Sequence, residues 1–420
     1  MNMATERTRL LVEGWRGINH SIAMVNQHQL LAWTRTPGLQ LFHQDAPLFL
    51  PHWNAATHGA GFDAADTQTI ANIPAPDGQP VDAVFRIHSP TTLPSARADG
   101  ARQLTYVVTE FGLSAKSFAA PVPDPTVFTG EGRSVVTPTA WSRQRLLDFG
   151  LAEEHVHVVT HGVQLRTFTP SNPAQRQAER AALGYSDEHF VLANVGVATW
   201  NKGVDLLIVA FARLRQRFAH ARLILKDHRS LYGVSVDQVF KTLTSTHPGL
   251  LTADVLASIS VIATNLTQLQ LRALYNVADC YVSPYRAEGF NLPVAEAMAC
   301  GTPAVVTAGG ATDDFCMGPW ATRVAGREGR TPDSQLPGGR YIEADADALL
   351  HAITQRLEAP AAAQRLGGAA WTHWRQGMDW GPAAIAVLDL CLQRSTAAPA
   401  VAAPAVAPPA LATPALAEAA

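Results

Sequence analysis

The chain has 420 residues, of which 47% are hydrophobic and 16% are charged, and its formal net charge is -3. This length suggests two or three domains, and the composition is typical of a folded protein with large buried sheets, which excludes a disordered or fibrous chain. The slightly negative charge provides no basic field for a phosphate backbone, so nucleic acid is not an expected partner.

No apolar run reaches 18 residues, and the charged N-terminal stretch lacks the apolar segment and small-residue cleavage site of a signal peptide. The sequence therefore predicts a cytoplasmic protein, with peripheral contact to the inner face of a membrane as an open alternative. The four cysteines have neither CxxC nor Cys/His spacing, which indicates no zinc site and no disulfide framework.

The N-terminal half alternates apolar strands with amphipathic helices. Its predicted strands cover residues 10–12, 81–87, 104–108, 134–137 and 156–160, and its predicted helices cover residues 21–33 and 140–149. This alternation predicts a parallel, Rossmann-like sheet. We assign residues 1–180 to this first domain.

A polar, helical stretch at residues 171–189 separates this series from a second one. The second series has predicted strands at residues 190–196, 221–226, 258–262 and 280–283, with helices at residues 204–218 and 267–277. We assign residues 186–375 to a second α/β domain of the doubly wound type. Residues 395–420 are almost only Ala, Pro, Val and Leu, and their prolines predict a disordered tail.

The most informative segment covers residues 284–306, which predict a strand end, a glycine-bearing loop, a short helix and a further strand. Amides at such a helix start favour a diphosphate, and an open parallel sheet places the loop at its ligand crevice. Glu288 and Glu296 lie a little over two helical turns apart, so one carboxylate can accept from sugar hydroxyls while the other holds a ribose diol. Alternatively, Glu288 is an N-terminal charge and Glu296 is a solvated helix residue.

This segment resembles the Glu-x7-Glu signature of retaining GT-B glycosyltransferases of family 4. Matches at residues 135–142, 158–163 and 202–207 follow in the same order and extend the resemblance over most of the chain. The resemblance implies two Rossmann-like domains facing across a cleft, with residues 376–394 crossing back to the first domain. It also implies metal-independent transfer of a hexose from a nucleotide-diphosphate sugar with retention of configuration, without a cofactor.

The same resemblance implies roles for individual residues of the second domain. Glu288 would contact the donor sugar, Lys202 would neutralise the departing diphosphate, and Glu296 would bind the nucleotide ribose. The main-chain groups that would face sugar and phosphate belong to Gly289, Phe290, Asn291 and Leu292. The acceptor stays open between a glycan, a lipid-linked sugar and a small molecule.

The sequence departs from the family pattern at Val197, where an arginine is usual. Lys226 and Arg286 both fall at predicted carboxyl ends of strands, so they are candidates for the missing positive charge. Alternatively, Lys226 extends from a strand end towards solvent, and Arg286 pairs with Glu288 without touching a ligand.

The acceptor-side candidates follow predicted strands of the first domain and are Gly17, Asn19, His20, Arg86, His88 and Glu110. We expect Asn19 or Ser21 to cap the following helix, and we expect Gly17 to allow close backbone approach. A family histidine that approaches the transferred sugar has no clear match around Thr109, which leaves its role unassigned or given to His88.

Two aspartate pairs are expected to be structural. Asp313 and Asp314 predict a capped short helix next to the donor site, and Asp345 with Asp347 predicts a helix start rather than a metal site.

The sequence leaves alternative functions open. Because of Val197 and the missing histidine, a non-catalytic nucleotide-sugar-binding protein stays an alternative, as does a nucleotide-sugar hydrolase or epimerase. A Rossmann oxidoreductase would need a glycine fingerprint after its first strand, which the sequence lacks.

Overall fold

The computed structural model describes residues 7–92, 100–114, 117–118, 124–332 and 336–393. Within these ranges, two six-stranded parallel sheets carry the two halves of the chain. The predicted α/β fold of two Rossmann-like units is confirmed. The predicted tail at residues 395–420 lies outside the described residues, and the predicted domain limits stay predictions.

The first sheet has the strand order β2-β1-β3-β4-β5-β6. Its strands are β1 (Thr8–Gly14), β2 (Leu39–Asp45), β3 (Ala83–Ile87), β4 (Arg102–Tyr106), β5 (Arg133–Thr137) and β6 (Val156–Val158). The helices of this first domain are α1 (Ser21–Trp33), α2 (Ala55–His58), α3 (Ala64–Ala71) and α4 (Ala140–Asp148). The prediction missed β2, α2 and α3 but placed both ends of α1 correctly.

The second sheet has the order β12-β11-β10-β7-β8-β9. Its strands are β7 (Phe190–Val195), β8 (Ala221–Lys226), β9 (Ile259–Ile262), β10 (Cys280–Ser283), β11 (Ala304–Thr307) and β12 (Ala321–Val324). A separate antiparallel hairpin, which the sequence did not predict, consists of β13 (Gly326–Arg330) and β14 (Arg340–Ala344). Every residue of β7 is buried, as expected for a strand covered by helices on both faces.

The helices of the second half surround this sheet and then return to the first one. They are α5 (Pro173–Ala182), α6 (Val204–Arg217), α7 (Arg229–Tyr232), α8 (Val236–Thr246), α9 (Ala253–Ala257), α10 (Gln268–Val277), α11 (Leu292–Ala299), α12 (Ala346–Glu358), α13 (Pro360–Trp374) and α14 (Trp380–Leu392). None of the helices in the described part of the chain is long and apolar enough to cross a membrane.

Helix α14 packs on the first domain, which confirms the predicted return of the chain. Trp380, Val387 and Leu388 are buried in the same core as residues of β3 and β4. The indole N–H of Trp33 on α1 donates to the carbonyl oxygen of Ala384 at 2.8 Å. By contrast, Trp374 at the end of α13 is buried in the second-domain core, so the crossing occurs between these two helices.

Because Leu388 is 2% exposed and lies in this core, Leu388→Ala should remove about 2 to 5 kcal/mol from the free energy of unfolding. Ile385 lies on the same helix and is 53% exposed, so Ile385→Ala should change that free energy by less than about 0.5 kcal/mol. Urea unfolding of both variants measures the difference. Equal losses would show that α14 does not lock onto the first domain.

Candidate active site

Lys202 lies where the two domains meet and is shared by two carboxylates. Its Nζ is 2.7 Å from Oε1 of Glu110, which follows β4, and 2.8 Å from Oε2 of Glu288, which follows β10. Burial lowers the pKa of Lys202, but the two carboxylates outweigh burial and raise it well above its usual value. The ammonium is therefore charged at every physiological pH.

The environment of Glu288 opposes its ionisation. Burial raises the pKa of Glu288 to about 7, Lys202 lowers it in part, and the negative charge of Glu110 raises it again. We call Lys202, Glu110 and Glu288 the Lys202 cluster. In this cluster Lys202 carries a fixed positive charge, whereas Glu288 ionises less readily than an ordinary glutamate.

The turn that carries Lys202 is followed by a position where the backbone conformation and a close backbone approach together require glycine. The chain forms a 3-10 turn at Trp200–Lys202, and Gly203 then adopts a φ of +66° before α6 begins. A Cβ atom at Gly203 would collide with the carbonyl oxygen of Pro284. The close approach holds the Lys202 turn against the loop that contains Glu288.

The loop from Gly289 to Leu292 forms the start of α11, as predicted. Asn291 has a φ of 79°, and its side chain donates to Ser283 Oγ at 3.0 Å. Within the described part of the chain, the backbone N–H groups of Phe290 and Asn291 make no hydrogen bond. Unpaired donors at a helix start are suited to an anion.

The first domain covers this loop from the opposite side. Thr139 Oγ1 donates to the carbonyl oxygen of Gly289 at 2.9 Å, and a Cβ atom at Gly289 would collide with the side chain of Val108. The Phe290 ring lies 4.8 Å from the ring of His161. The cleft is therefore closed over the loop.

Glu296 lies on α11, one helical turn beyond its start, and is partly buried. Burial raises its pKa to about 7, while the hydroxyl of Tyr275, which donates to Oε2 at 2.7 Å, opposes this rise. The other oxygen, Oε1, is free of hydrogen bonds to the described residues, so it can accept one from a ligand.

Arg286 does not supply the missing ligand charge, which corrects that hypothesis. It forms bidentate ion pairs with Asp205, at 2.7 and 2.8 Å, and with Glu343, and it also donates to the Trp200 carbonyl oxygen at 2.7 Å. All five N–H groups of the guanidinium are used. The alternative of a pair with Glu288 is also wrong, because Arg286 instead holds the Lys202 turn and β14 in place.

Lys226 ends β8 and is 3% exposed, so the alternative in which it extends to solvent is wrong. Its Nζ donates to the carbonyl oxygen of Asp227 at 2.5 Å. Burial lowers the pKa of Lys226 to about 8, against a smaller opposing effect of Asp227. Lys226 pairs with Val195 across the sheet, beside the strand end that leads to Val197.

The acceptor-side candidates of the first loop have structural contacts. His20 is itself the N-cap of α1, since its Nδ1 accepts from the Ile22 amide at 3.2 Å, so capping by Asn19 or Ser21 is wrong. Asn19 instead donates to Asn265 of the second domain at 3.0 Å. Burial, followed by the charge of Lys202, lowers the pKa of His20 to about 4, so its ring is neutral at physiological pH.

Of three further acceptor-side candidates, one lies in the Lys202 cluster and two lie elsewhere in the first domain. Glu110 belongs to the Lys202 cluster, whereas the described contacts of Arg86 and His88 lie in the first domain. Arg86 pairs with Glu13 at 3.1 Å, and His88 contacts Pro90 and Thr92. Gly17 has a φ of +83°, so its conformation rather than close backbone approach explains the glycine.

The aspartates also differ in their roles. Asp314 Oδ2 accepts from the Ala140 amide at 2.7 Å, so it contacts the first turn of α4 in the other domain and does not cap its own short helix. Asp345 accepts from the Ala348 amide at 2.7 Å, which confirms the predicted helix start. Asn201, which no sequence motif indicated, donates to Glu110 Oε2 at 2.8 Å. Its position next to Lys202 was the available signal.

Residues 175–316 match the family described as Glycosyl transferases group 1. Mannosylfructose-phosphate synthase from Agrobacterium fabrum is 32% identical over 160 residues, which cover 38% of this chain and 34% of that protein. D-inositol 3-phosphate glycosyltransferase from Frankia alni is 31% identical over 273 residues, which cover 62% of each chain. The chain thus spans between about a third and somewhat under two thirds of the length of these relatives.

Two solved structures resemble nearly the whole chain. A glycosyltransferase from Rickettsia africae has a TM-score of 0.65 at 13% identity and covers 93% of this chain and 100% of its own. Anabaena HepE, solved in complex with UDP and glucose, has a TM-score of 0.62 at 14% identity and covers 91% and 99%. These likenesses show that the fold is GT-B.

A comparison of two glycines distinguishes the cost of backbone strain from the cost of a Cβ collision. Gly203 and Gly233 have φ values of +66° and +71°, but only at Gly203 would a Cβ atom meet other atoms. Gly233→Ala should therefore cost roughly 1 to 2 kcal/mol of the free energy of unfolding, and Gly203→Ala should exceed it by about 2 kcal/mol or more. Thermal unfolding of the two variants checks this order. Similar losses would mean that the Lys202 turn is not held against Pro284.

Proposed function

Through residues 175–316 the chain belongs to the glycosyl transferases group 1 family, and on this premise we propose that it transfers a hexose from a nucleotide-diphosphate sugar. The observation that carries the proposal is the partly buried Lys202 ammonium beside Glu288, together with the unpaired amides before α11. A relative named as a glycosyltransferase and a similarly folded protein in complex with UDP and glucose support it. The acceptor is a glycan, a lipid-linked sugar or a small molecule.

The donor would lie along the second domain with each of its parts at a different group. The amides of Phe290 and Asn291 and the Lys202 ammonium would hold the diphosphate. Glu296 would accept from the ribose hydroxyls, and Glu288 would accept from hydroxyls of the sugar. Lys226 would supply the additional positive charge that Val197 does not, since Arg286 is neutralised by two carboxylates.

In the transfer step, the acceptor oxygen forms a bond to the anomeric carbon while the bond from that carbon to the phosphate oxygen breaks. Negative charge develops on the departing phosphate, where Lys202 stabilises it. The acceptor proton passes to that phosphate on the same face of the sugar, so configuration is retained without an enzymic nucleophile. Closure by Thr139 and Val108 over Gly289 would exclude water, which limits hydrolysis of the donor.

The second candidate function is a non-catalytic protein that binds a nucleotide sugar. Val197 favours it, because a family cation is missing there and the structure commits Arg286 to internal ion pairs. Release of nucleoside diphosphate in the presence of an acceptor distinguishes the two functions. The cytoplasmic location predicted from the sequence, with peripheral membrane contact left open, stays part of the proposal.

Thermal unfolding with UDP-, GDP- and ADP-sugars tests the donor site. A bound donor at about 100 times its dissociation constant should add about 2.7 kcal/mol of stability. Lys202→Ala and Glu296→Ala should abolish this gain, whereas Lys241→Ala should retain it because Lys241 is an exposed lysine on α8. A gain in stability that persists in Lys202→Ala and Glu296→Ala would contradict the proposal. So would the absence of a gain with every nucleotide sugar tested.

The pH dependence of nucleotide binding tests Lys226. Lys226 is charged below its pKa of about 8, and a bound diphosphate favours the charged form and raises that pKa. Affinity for UDP or GDP should therefore fall as pH rises above 8, by up to about tenfold per pH unit. Calorimetric titration should show no such fall for Lys226→Met. The same profile in both proteins would remove Lys226 from the donor site.

A further inference from the structure

The ion pair between Lys202 and Glu110 joins the two domains at the place where the donor diphosphate is proposed to bind. We propose that the Glu110 carboxylate is a displaceable occupant of this diphosphate site, and that the donor binds by exchanging with it. The inference rests on the proposed function, because it takes Lys202 as the diphosphate cation. It assigns to Glu110 a role in donor entry rather than in acceptor binding.

The contacts of Glu110 are those of an anion held in a binding site. Its Oε1 accepts from the Lys202 ammonium at 2.7 Å, and its Oε2 accepts from the Asn201 side-chain amide at 2.8 Å. Two donors from consecutive residues thus hold one oxygen each. A phosphate group presents its oxygens to such a pair of donors in the same way.

Electrostatic repulsion opposes binding of the diphosphate while the Glu110 carboxylate still occupies the site. Lys202 already lies within 2.8 Å of two carboxylates, so the cluster carries a net negative charge when both are ionised. A diphosphate would bring further negative charge to the same ammonium, and like charges at this distance repel strongly away from bulk water. Displacement of one carboxylate relieves this repulsion and frees Lys202 to contact the diphosphate.

Glu110 is the carboxylate that is free to leave. Glu288 is in the same domain as Lys202, and its side chain is buried. Its loop is held in place because the amides of Arg286 and Ala287 donate to the Asn201 carbonyl oxygen. The Glu110 side chain is 38% exposed and belongs to the other domain. A rotation of this side chain or a small opening of the cleft removes it without disturbing the second domain.

The exchange would also loosen the closed cleft. Near Glu110, the amide of Arg340 in β14 donates to the Phe111 carbonyl oxygen at 2.8 Å, and the Phe111 ring stacks on Trp200. These contacts join the two domains beside the Lys202–Glu110 pair. Losing that charged pair weakens the closed state, so the arriving diphosphate both replaces the carboxylate and admits the rest of the donor.

Calorimetric titration with inorganic pyrophosphate measures the exchange without requiring the identity of the sugar or base. Glu110→Gln keeps the shape of the side chain and removes its charge, so it should bind pyrophosphate about fivefold more tightly than the unaltered protein, as expected for loss of one partly exposed ion pair. Glu110→Ala should show the same direction. Glu153→Gln, which removes a surface carboxylate paired with Arg143, should bind as the unaltered protein does.

A double-mutant cycle assigns the effect to Lys202. Lys202→Ala should weaken pyrophosphate binding, and adding Glu110→Gln to it should produce no gain, because the competition exists only through this ammonium. Unchanged or weaker binding by both Glu110 variants, with Lys202→Ala still defective, would overturn the exchange and leave the donor site intact. Unaltered binding by Lys202→Ala would instead remove the diphosphate from Lys202, and the proposed function would fail with it.

Discussion

The structure depends on one constraint, which is that the partly buried ammonium of Lys202, at one strand end, must be balanced by carboxylates from two other strand ends. Glu110 follows β4, Lys202 follows β7 and Glu288 follows β10, and both carboxylates lie within hydrogen-bonding distance of the Lys202 ammonium. Parallel strands make this possible, because their carboxyl ends share one edge of each sheet and the two edges face each other. The cleft between the domains is therefore the place where charge is concentrated.

A second set of ion pairs, centred on Arg286, holds Lys202 and Glu288 in their positions. Arg286 joins α6, β14 and the Lys202 turn through Asp205, Glu343 and the Trp200 carbonyl oxygen, so the second domain presents Lys202 and Glu288 as one unit. Helix α14 then fixes the first domain behind the cleft. This arrangement suits a protein that must open for one substrate and close for another.

The sequence predicted the elements whose pattern is apolar and periodic. The limits of α1 and β8 agree with the structure, and most residues of both elements are buried. The hairpin of β13 and β14 was missed because the GREGR strand is almost wholly polar. The role of Arg286 was missed for another reason, since Asp205 and Glu343 lie 81 and 57 residues away in the chain. Similarly, motif spacing identified Lys202 and Glu288, but only the folded chain brings Glu110 to them.

A crystal structure of the protein with a bound nucleoside diphosphate tests the account most directly. Crystals should be grown with UDP and with GDP, since the base is not fixed by the residues described. A diphosphate oxygen should lie within hydrogen-bonding distance of Lys202 Nζ, the ribose should lie at Glu296, and the Glu110 carboxylate should have moved away from Lys202. A nucleotide bound elsewhere, with the Lys202 cluster unchanged, would contradict the central claim that this ammonium holds the donor.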